Sequence, residues 1–459
     1  MSPGSAALGR VALVVANTGL IDSRIVKYAT SLADAGYQVE VICHSPDAER
    51  HELEDAGARY VQLPAPHPGP PRSATLRRAA VVLRRSGRAG RRALDRFATR
   101  LAPGPAASGL GNPLRRVELV AYQRLPWLAP WRRVCGPSVA FAPVIQRELD
   151  RFAPSLVHQH DVHELNATAA WVAGRREAGD RVAFVYDARE YVIGQPNPPA
   201  RQVVAYALME REFIGLADRV ITVCDPIADQ LQRDYRLPRR PDVVFNATWA
   251  ATDPHSGRVP PVREAAGIDA AVPLLVYAGG LAPARGVHTV VQALRELPGV
   301  HLAVVSRAES SYTLTLRRLA DRYAVADRFH LVPFVHPHQV VSYLTGCDLG
   351  LSPLLHAPNH DWALTNKFFE YLQAGLPVVT SDTVVQEDLV RSLGIGTVFR
   401  AGDVADCAAA IRSALDRLPA LRSAAADPAL LHRFSWAAQG RILLDVYRDL
   451  LPARIAPTG

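Results

Sequence analysis

The sequence predicts an α/β protein of two doubly wound sheets, one per domain, facing each other across a cleft. Short apolar runs alternate with stretches of helical periodicity along most of the chain. Twice, from residue 11 and again from residue 274, a strand leads into a glycine-bearing turn and then a helix, the opening of a doubly wound sheet. At 459 residues, 49% of them hydrophobic, the chain exceeds one ordinary core and suits two.

Residues 11–16 read as the first strand and Asn17-Thr18-Gly19 as its turn. The run is too short, with too little positive charge before it, to read as a signal peptide. Ile25, Tyr28, Ala29 and Leu32 then recur at helical spacing, Gly36 stands where a C-terminal cap belongs, and 39–43 gives the next strand. No full Gly-x-Gly-x-x-Gly string follows the first strand, so a dinucleotide site is not expected there. A Pro-, Gly- and Arg-rich insertion interrupts the alternation at 64–137. Strand and helix units resume at 156–158, 182–186, 203–216, 219–223, 227–233 and 243–246.

The first domain is thus assigned to 1–250 and a polar, proline-bearing linker to 251–267. The second domain takes 268–434, and a helical segment at 435–459 is expected to pack back on the first. In the second domain strand 274–278, turn 279–286, helix 287–297 and strand 302–306 open an alternation that runs through 377–381. Open α/β sheets bind ligands beyond the carboxyl ends of their strands, so function is expected in the cleft.

Cys43, Cys135, Cys224, Cys347 and Cys407 are scattered, with no Cys-x-x-Cys pair. They read as small buried hydrophobes in a reducing compartment, and no metal-ligand spacing is completed elsewhere, so no metal or other cofactor is expected. No apolar run reaches the roughly 18 residues of a spanning helix, which points to a cytoplasmic protein.

The string Asn366-Lys367-Phe368-Phe369-Glu370-Tyr371-Leu372-Gln373-Ala374-Gly375-Leu376-Pro377-Val378-Val379 carries the strongest chemical signal. Thr365 or Asn366 would start a helix whose N-terminal N–H groups and dipole favour a phosphate. Lys367 and Glu370, three apart, share a helical face, and a cation beside an acceptor-only carboxylate suits a phosphate next to a ribose diol. A weak surface i,i+3 pair is the bland alternative. The turn Tyr277-Ala278-Gly279-Gly280-Leu281-Ala282-Pro283-Ala284-Arg285-Gly286-Val287 adds glycines that admit a ligand to the backbone and an arginine for charge-assisted bonds to a diphosphate.

These strings resemble family 4 of the retaining glycosyltransferases. The resemblance implies the GT-B arrangement of two Rossmann-like domains. It also implies a nucleoside diphosphate sugar as donor, a hydroxyl acceptor and retention of anomeric configuration. Glu370 falls on the glutamate that holds the nucleotide ribose, and Arg285 on the second of two basic residues that hold the diphosphate. The first basic position is Gly280 here, which reduces the clamp to Arg285 and Lys367. A further family glutamate, eight residues before the ribose-binding one and facing the transferred sugar, is Trp362 here; Asp361 or His360 would occupy part of that space, or the stretch is an ordinary loop.

In the first domain Val157-His158-Gln159-His160-Asp161 is similar to the family's His-x-His-Asp segment, and His160 would bond a sugar hydroxyl or shuttle a proton. Val185-Tyr186-Asp187-Ala188-Arg189-Glu190 looks like the family's Tyr-Asp-Ala-His-Glu, with Arg189 in place of the histidine. Acceptor contact and a plain salt-bridge cluster are equal readings for it. Gly19 matches the glycine that lets the first loop approach the donor phosphates, and Asp22, Arg24 and Lys27 would face acceptor or solvent. The expected catalytic set is therefore His160, Arg285 and Lys367. Donor binding falls to Gly19, Gly279, Gly280, Asn366 and Glu370, and Asp161, Arg189 and Glu190 stand on the acceptor side.

The net charge of +8 is local. Residues 72–133 hold fifteen arginines against Asp95 and Glu118, a net +13 that leaves −5 for the rest, a distribution that speaks against general nucleic-acid binding. Arg77, Arg84, Arg85, Arg88 and Arg92 share one helical stripe and Leu76, Ala80 and Leu83 another. Such a helix, with Trp127 and Trp131 as interfacial anchors, suits an anionic membrane surface on the cytoplasmic face and a lipid-linked acceptor; a solvated arginine face or a mobile insertion is the bland alternative. Two rivals stand beside the transferase. One is a sugar-nucleotide epimerase, for which no convincing carboxylate pair is present. The other is a non-catalytic membrane- or RNA-binding relative, kept alive by Gly280 and Trp362.

Overall fold

The computed structural model of the protein describes residues 8–47, 49–64, 113–195, 198–250, 259–306, 310–362 and 364–451. The chain divides into two compact units. One runs to Val243 and also takes in Ala357–Asn359 and the residues from Leu444 on; the other holds Val244–His356 and His360–Leu443.

The first unit is an eight-stranded sheet of β1 (Arg10–Val15), β2 (Gln38–His44), β3 (His51–Asp55), β4 (Ala58–Leu63), β5 (Leu156–His160), β6 (Ala183–Ala188), β7 (Arg219–Thr222) and β8 (Asp242–Val243). Its order is β3-β4-β2-β1-β5-β6-β7-β8. All pairs are parallel except β3–β4, a hairpin closed by Ala56 and Gly57, both at positive φ as a two-residue turn demands. The hairpin carries no apolar signature in the sequence. Its edge strand alternates half-buried and exposed residues, with Glu52 and Glu54 facing out, and so lacks an apolar run. The chain builds outward from β1 in one direction, then returns to add β5 on the other side. This reversal makes the β1/β5 boundary the switch point.

The second unit is a six-stranded, fully parallel sheet of β9 (Leu274–Ala278), β10 (His301–Ser306), β11 (Phe329–Pro333), β12 (Leu349–Ser352), β13 (Val378–Ser381) and β14 (Gly396–Phe399). The order β11-β10-β9-β12-β13-β14 repeats the same reversal at β9/β12. β9 and β12 are buried throughout, as central strands of a doubly covered parallel sheet must be.

Two segments differ from the sequence reading. The segment expected as strand 243–246 pairs only over Asp242–Val243, at the sheet edge. The end of the expected linker is packed structure: Val262 opens a short helix and is fully buried in the second unit's core. In the last helix (Trp436–Leu450), Tyr447 sits in the first unit, its hydroxyl 2.6 Å from His158 Nδ1, while Asp449 pairs with Arg219 at 2.9 Å. All five cysteines are buried thiols.

The basic stripe expected at Arg77–Arg92 lies outside the described residues, but the two tryptophans behind it do not. They separate. Trp127 is 70% exposed, with Leu125 beside it in sequence also exposed. Trp131 is buried: its Nε1–H donates to Glu212 at 2.8 Å and its ring meets Phe213 edge-on at 5.7 Å. Trp131 is therefore not the interfacial anchor that the sequence suggested, because its apolar surface is already spent on the core. Trp131→Ala should cost about 3–5 kcal/mol of unfolding free energy, the usual loss for a truncated core aromatic. Trp127→Ala should stay within about 0.5 kcal/mol. Urea unfolding of the two variants checks the contrast.

Candidate functional site

Charged side chains gather at the carboxyl ends of the strands in both units, at the switch points. In the second unit the gathering begins with Lys367, at the start of the helix Asn366–Gln373, whose N-terminus has no side-chain cap. Lys367 is 5% exposed, and its Nζ stands 5.0 Å from the centre of the Tyr277 ring on β9. Gly279, the residue after β9, lies against the Lys367 stem and takes φ 131°, a backbone that favours glycine. Tyr371 holds the helix to the sheet. Its hydroxyl accepts from Ala278 N and donates to Leu351 O, both at 3.0 Å, while its ring covers Gly350 so closely that a Cβ there would sit 2.3 Å from it.

Arg285 closes a 3-10 turn, Pro283–Arg285, ended by Gly286 at φ 72°. A Cβ on Gly286 would fall 1.7 Å from Pro353 O, so only glycine lets this turn lie against the loop after β12. Leu355 N–H in that loop donates to Ala284 O at 3.0 Å. Burial pushes the Lys367 ammonium down to about 7; the nearby Arg285 charge adds to this and Glu370 opposes it. Arg285 and Glu370 thus both lie within electrostatic reach of Lys367. Asn366 accepts a hydrogen bond from Asn246, and a Cβ added to Gly280 would meet only open space. The bland reading of Lys367 and Glu370 as a solvated surface pair does not fit a lysine this buried.

In the first unit, parallel register sets His160 opposite both Val15 and Asp187. Asp187 is the hub. It accepts Arg24 Nε at 2.7 Å and Nη2 at 3.0 Å, and His160 Nδ1 at 3.1 Å, all fully buried. Burial alone would raise the Asp187 carboxyl, but Arg24 and His160 outweigh it and hold it far below the usual range. Donation through Nδ1 leaves His160 Nε2 as an acceptor, and this buried atom has no partner among the described residues. His158 stacks on His160 with ring centres 4.2 Å apart.

Arg189 is bidentate to Asp22, both bonds 2.7 Å, and approaches Asp161 at 3.6 Å. Asp22 also caps the helix Ser23–Asp34 and accepts from Asn17, which in turn receives Gly19 N–H. Arg24 and Lys27 are buried, so neither faces solvent as the sequence allowed. A helical spacing of charges gave no sign that strand-end acids wait on the inner face. Glu190 accepts from Gln195 at 2.7 Å, and Asp161, at φ 64°, is pushed up to about 6 by burial.

His158, His160 and Asp187 each bring one potential metal-ligand atom within 4.8 Å of the others. The carboxylate, however, already binds a guanidinium through both oxygens. A dication there would have to displace Arg24 and sit near Arg189, so the set suits hydrogen bonding to a neutral ligand better.

Comparison with known proteins agrees in both halves. Residues 260–426 match the family model "Glycosyl transferases group 1" and residues 96–248 match "Glycosyltransferase Family 4". The D-inositol 3-phosphate glycosyltransferase of Mycolicibacterium smegmatis is 27% identical over 303 residues, covering 64% of this chain and 66% of that one. The alpha-D-kanosaminyltransferase of Streptomyces kanamyceticus is 25% identical over 254 residues, 52% of this chain and 63% of that one. The chain thus spans about two thirds of the length of these curated relatives. Among solved structures, sucrose-phosphate synthase from Thermosynechococcus elongatus superposes with TM-score 0.68 at 16% identity, covering 97% of this chain and 99% of that one. Anabaena HepE in complex with UDP-glucose gives 0.60 at 14% identity, with 96% and 100% covered. These likenesses show the two-domain GT-B fold.

The buried ammonium has a measurable consequence. Lys367 titrates near 7 in the folded protein and near 10.5 when exposed, so between those values the unfolded chain holds the extra proton. Stability from this residue therefore rises as pH climbs from about 7 to about 10.5, and at pH 7 the folded state carries nearly the whole penalty. Lys367→Met should melt a few degrees higher than the native protein at pH 7, with the gap closing toward pH 10. A lower melting temperature at pH 7, or a gap that ignores pH, would show that the ammonium is not strained by burial.

Proposed function

The chain belongs to glycosyltransferase family 4, and on that premise we propose that it moves a sugar from a nucleoside diphosphate sugar to an acceptor hydroxyl with retention of configuration. The observation that carries the donor half is the buried Lys367 beside Gly279, with Arg285 within charge reach and the uncapped helix start behind it. A lysine held at a depressed pKa without its own full counter-charge is a site prepared for an anion, and a diphosphate supplies one. Arg285 and Lys367 stabilise the charge that builds on the leaving phosphate. Glu370 takes the ribose hydroxyls, with Asn366 and Gly280 lining the approach. A leaving-phosphate oxygen receives the acceptor proton, which needs no metal.

On the acceptor side, His160 offers Nε2 to a sugar hydroxyl while Asp187 fixes its tautomer. Arg189 and Asp22 hold the loop ends, and Asp161 and Glu190 remain the carboxylates for acceptor hydroxyls. The bound UDP-glucose of HepE makes a uridine nucleotide the first donor to try. A thermal-shift screen against nucleoside diphosphates tests the donor site, since a ligand of the folded state alone raises its melting temperature.

For the ligand so identified, Glu370→Ala should weaken binding by about 1.5–3 kcal/mol, the worth of hydrogen bonds to a charged acceptor. Unchanged calorimetric affinity would remove Glu370 from the site. Arg285→Ala should lower kcat more than it raises KM, because the phosphate charge peaks in the transition state. A rise in KM alone would make Arg285 a ground-state binder.

The basic segment 72–133 is proposed to hold the protein on an anionic membrane surface and so to favour a lipid-linked acceptor. The exposed Trp127 and Leu125, with Arg124, Arg132 and Arg133 near in sequence, are the described part of that surface. Each basic residue near such a surface gains about 1 kcal/mol, screened by salt. The protein should sediment with anionic vesicles and much less with neutral ones, and Trp127→Ala should weaken the association. Equal sedimentation after deletion of 65–112 would take the membrane out of the proposal.

A further inference from the structure

The end of the last helix brings a hydroxyl to the histidine pair of the first unit. Tyr447 is fully buried, with its ring edge-on to Tyr37 at 6.0 Å, and two residues further on Asp449 ties the helix to Arg219. The Tyr447 hydroxyl lies 2.6 Å from His158 Nδ1, and the His158 ring stacks on His160 with centres 4.2 Å apart.

The protons of this chain can be placed one by one. A phenol is a stronger acid than a neutral imidazole, and an imidazole nitrogen accepts better than a phenol oxygen. The hydroxyl therefore donates and His158 Nδ1 accepts. Burial holds the Tyr447 phenol well above its ordinary range, so it keeps its proton. His158 is neutral too: burial depresses it, His160, Arg24 and Arg189 add to this, and Asp187 opposes it. A neutral imidazole carries one N–H, and with Nδ1 accepting, that N–H is on Nε2. His160 is the reverse case. Its Nδ1 donates to Asp187 at 3.1 Å, which leaves the lone pair on Nε2.

Four ring nitrogens thus offer a single free lone pair, that of His160. Both Nε2 atoms are buried, and neither has a partner among the described residues. With His158 in the other tautomer, two stacked nitrogens would compete for one hydroxyl proton, and only one of them has a carboxylate behind it.

Resting on the reading of His160 as the residue that bonds a sugar hydroxyl, we propose that Tyr447 is a positioning residue: its hydroxyl fixes the proton of His158 on Nε2 and so leaves His160 Nε2 as the one acceptor nitrogen of the pair.

Nitrogen NMR tests this without any substrate, because a ring nitrogen that carries a proton resonates far from one with a lone pair. The full chain, isotopically labelled at histidine, is compared with His158→Gln and His160→Gln to assign the signals. Native protein should show the proton on Nε2 of His158 and on Nδ1 of His160. Tyr447→Phe keeps the ring and removes the hydroxyl, so it should shift His158 toward the other tautomer and leave His160 as it was. Release of UDP from UDP-glucose should fall about tenfold in kcat, with KM within about twofold, as a lost alignment of the reacting hydroxyl requires.

A native His158 with its proton on Nδ1 would overturn the proposal, since Tyr447 would then be the acceptor. So would a Tyr447→Phe protein whose kcat falls while its His158 signals stay, which makes the tyrosine a packing prop. A changed tautomer with kcat untouched overturns it equally. If His160→Gln turns over like the native protein, the reading of His160 falls instead, and the spectra still show which group donates. Melting curves identify any loss in Tyr447→Phe that comes from unfolding, and in that case the native spectrum decides.

Discussion

A lysine ammonium taken out of water is the constraint on which the second unit's strand ends depend. Left alone, a buried cation costs several kcal/mol, and a protein escapes that cost by losing the proton, pairing the charge or keeping a ligand nearby. Here the local structure gives Lys367 only partial relief. The Tyr277 ring offers its face, Glu370 lies one turn along the helix, and Arg285 makes matters worse. Around that strained position the chain spends its most demanding backbone. Gly279 takes φ 131°, Gly286 clears Pro353 O, and Gly350 admits the ring of Tyr371 that clamps the helix to β9 and β12. Substituting any of these moves the helix start relative to the strand end, and the ammonium with it. The arrangement is economical only if an anion completes it.

The first unit solves the opposite problem. Its buried cations come with their own anions, arranged by register rather than by proximity in sequence. Arg24 lies 163 positions from Asp187 and Arg189 lies 167 from Asp22, yet each pair is bidentate. Such pairs contribute little net stability against well-packed apolar groups, but removing one partner leaves a stranded charge. Their use is geometric. Asp187 bonded to Arg24 cannot swing, so it holds the His160 ring in one tautomer with Nε2 presented as an acceptor.

Much of the architecture was legible because parallel sheets buried on both faces leave unbroken apolar runs. Residues 11–15, 274–278 and 349–352 show them plainly, and so do the glycines that follow the first two. Half-exposed elements were harder. The β3–β4 hairpin hides its pattern behind Glu52 and Glu54, and the turn at Ala56 uses a residue that seldom takes positive φ. Within the donor cluster the lysine, arginine and glutamate were readable as residue types at strand and helix ends. Their burial was not, since nothing in an Asn-Lys-Phe-Phe string says which way the lysine turns. Arg24, Lys27 and Trp131 failed for the same reason: charge and amphipathic spacing suggest a surface, while tertiary packing put all three inside.

Charge accounting separates what the two clusters can hold. In the first unit Asp22 and Asp187 answer Arg189 and Arg24 one for one, the histidines are kept neutral by burial, and Asp161 near pH 6 adds at most one negative charge. A cluster whose arginines are already paired gives a diphosphate little reason to approach, but its neutral acceptor atoms suit hydroxyls. In the second unit Arg285 and Lys367 face a single carboxylate, Glu370, and the imbalance grows when an arriving anion lifts the lysine back to its charged form. By this count the second unit's strand ends suit a phosphate and the first unit's suit hydroxyls. The same fold supplies both because a doubly wound sheet offers one switch point in each unit and leaves the side chains there free to differ.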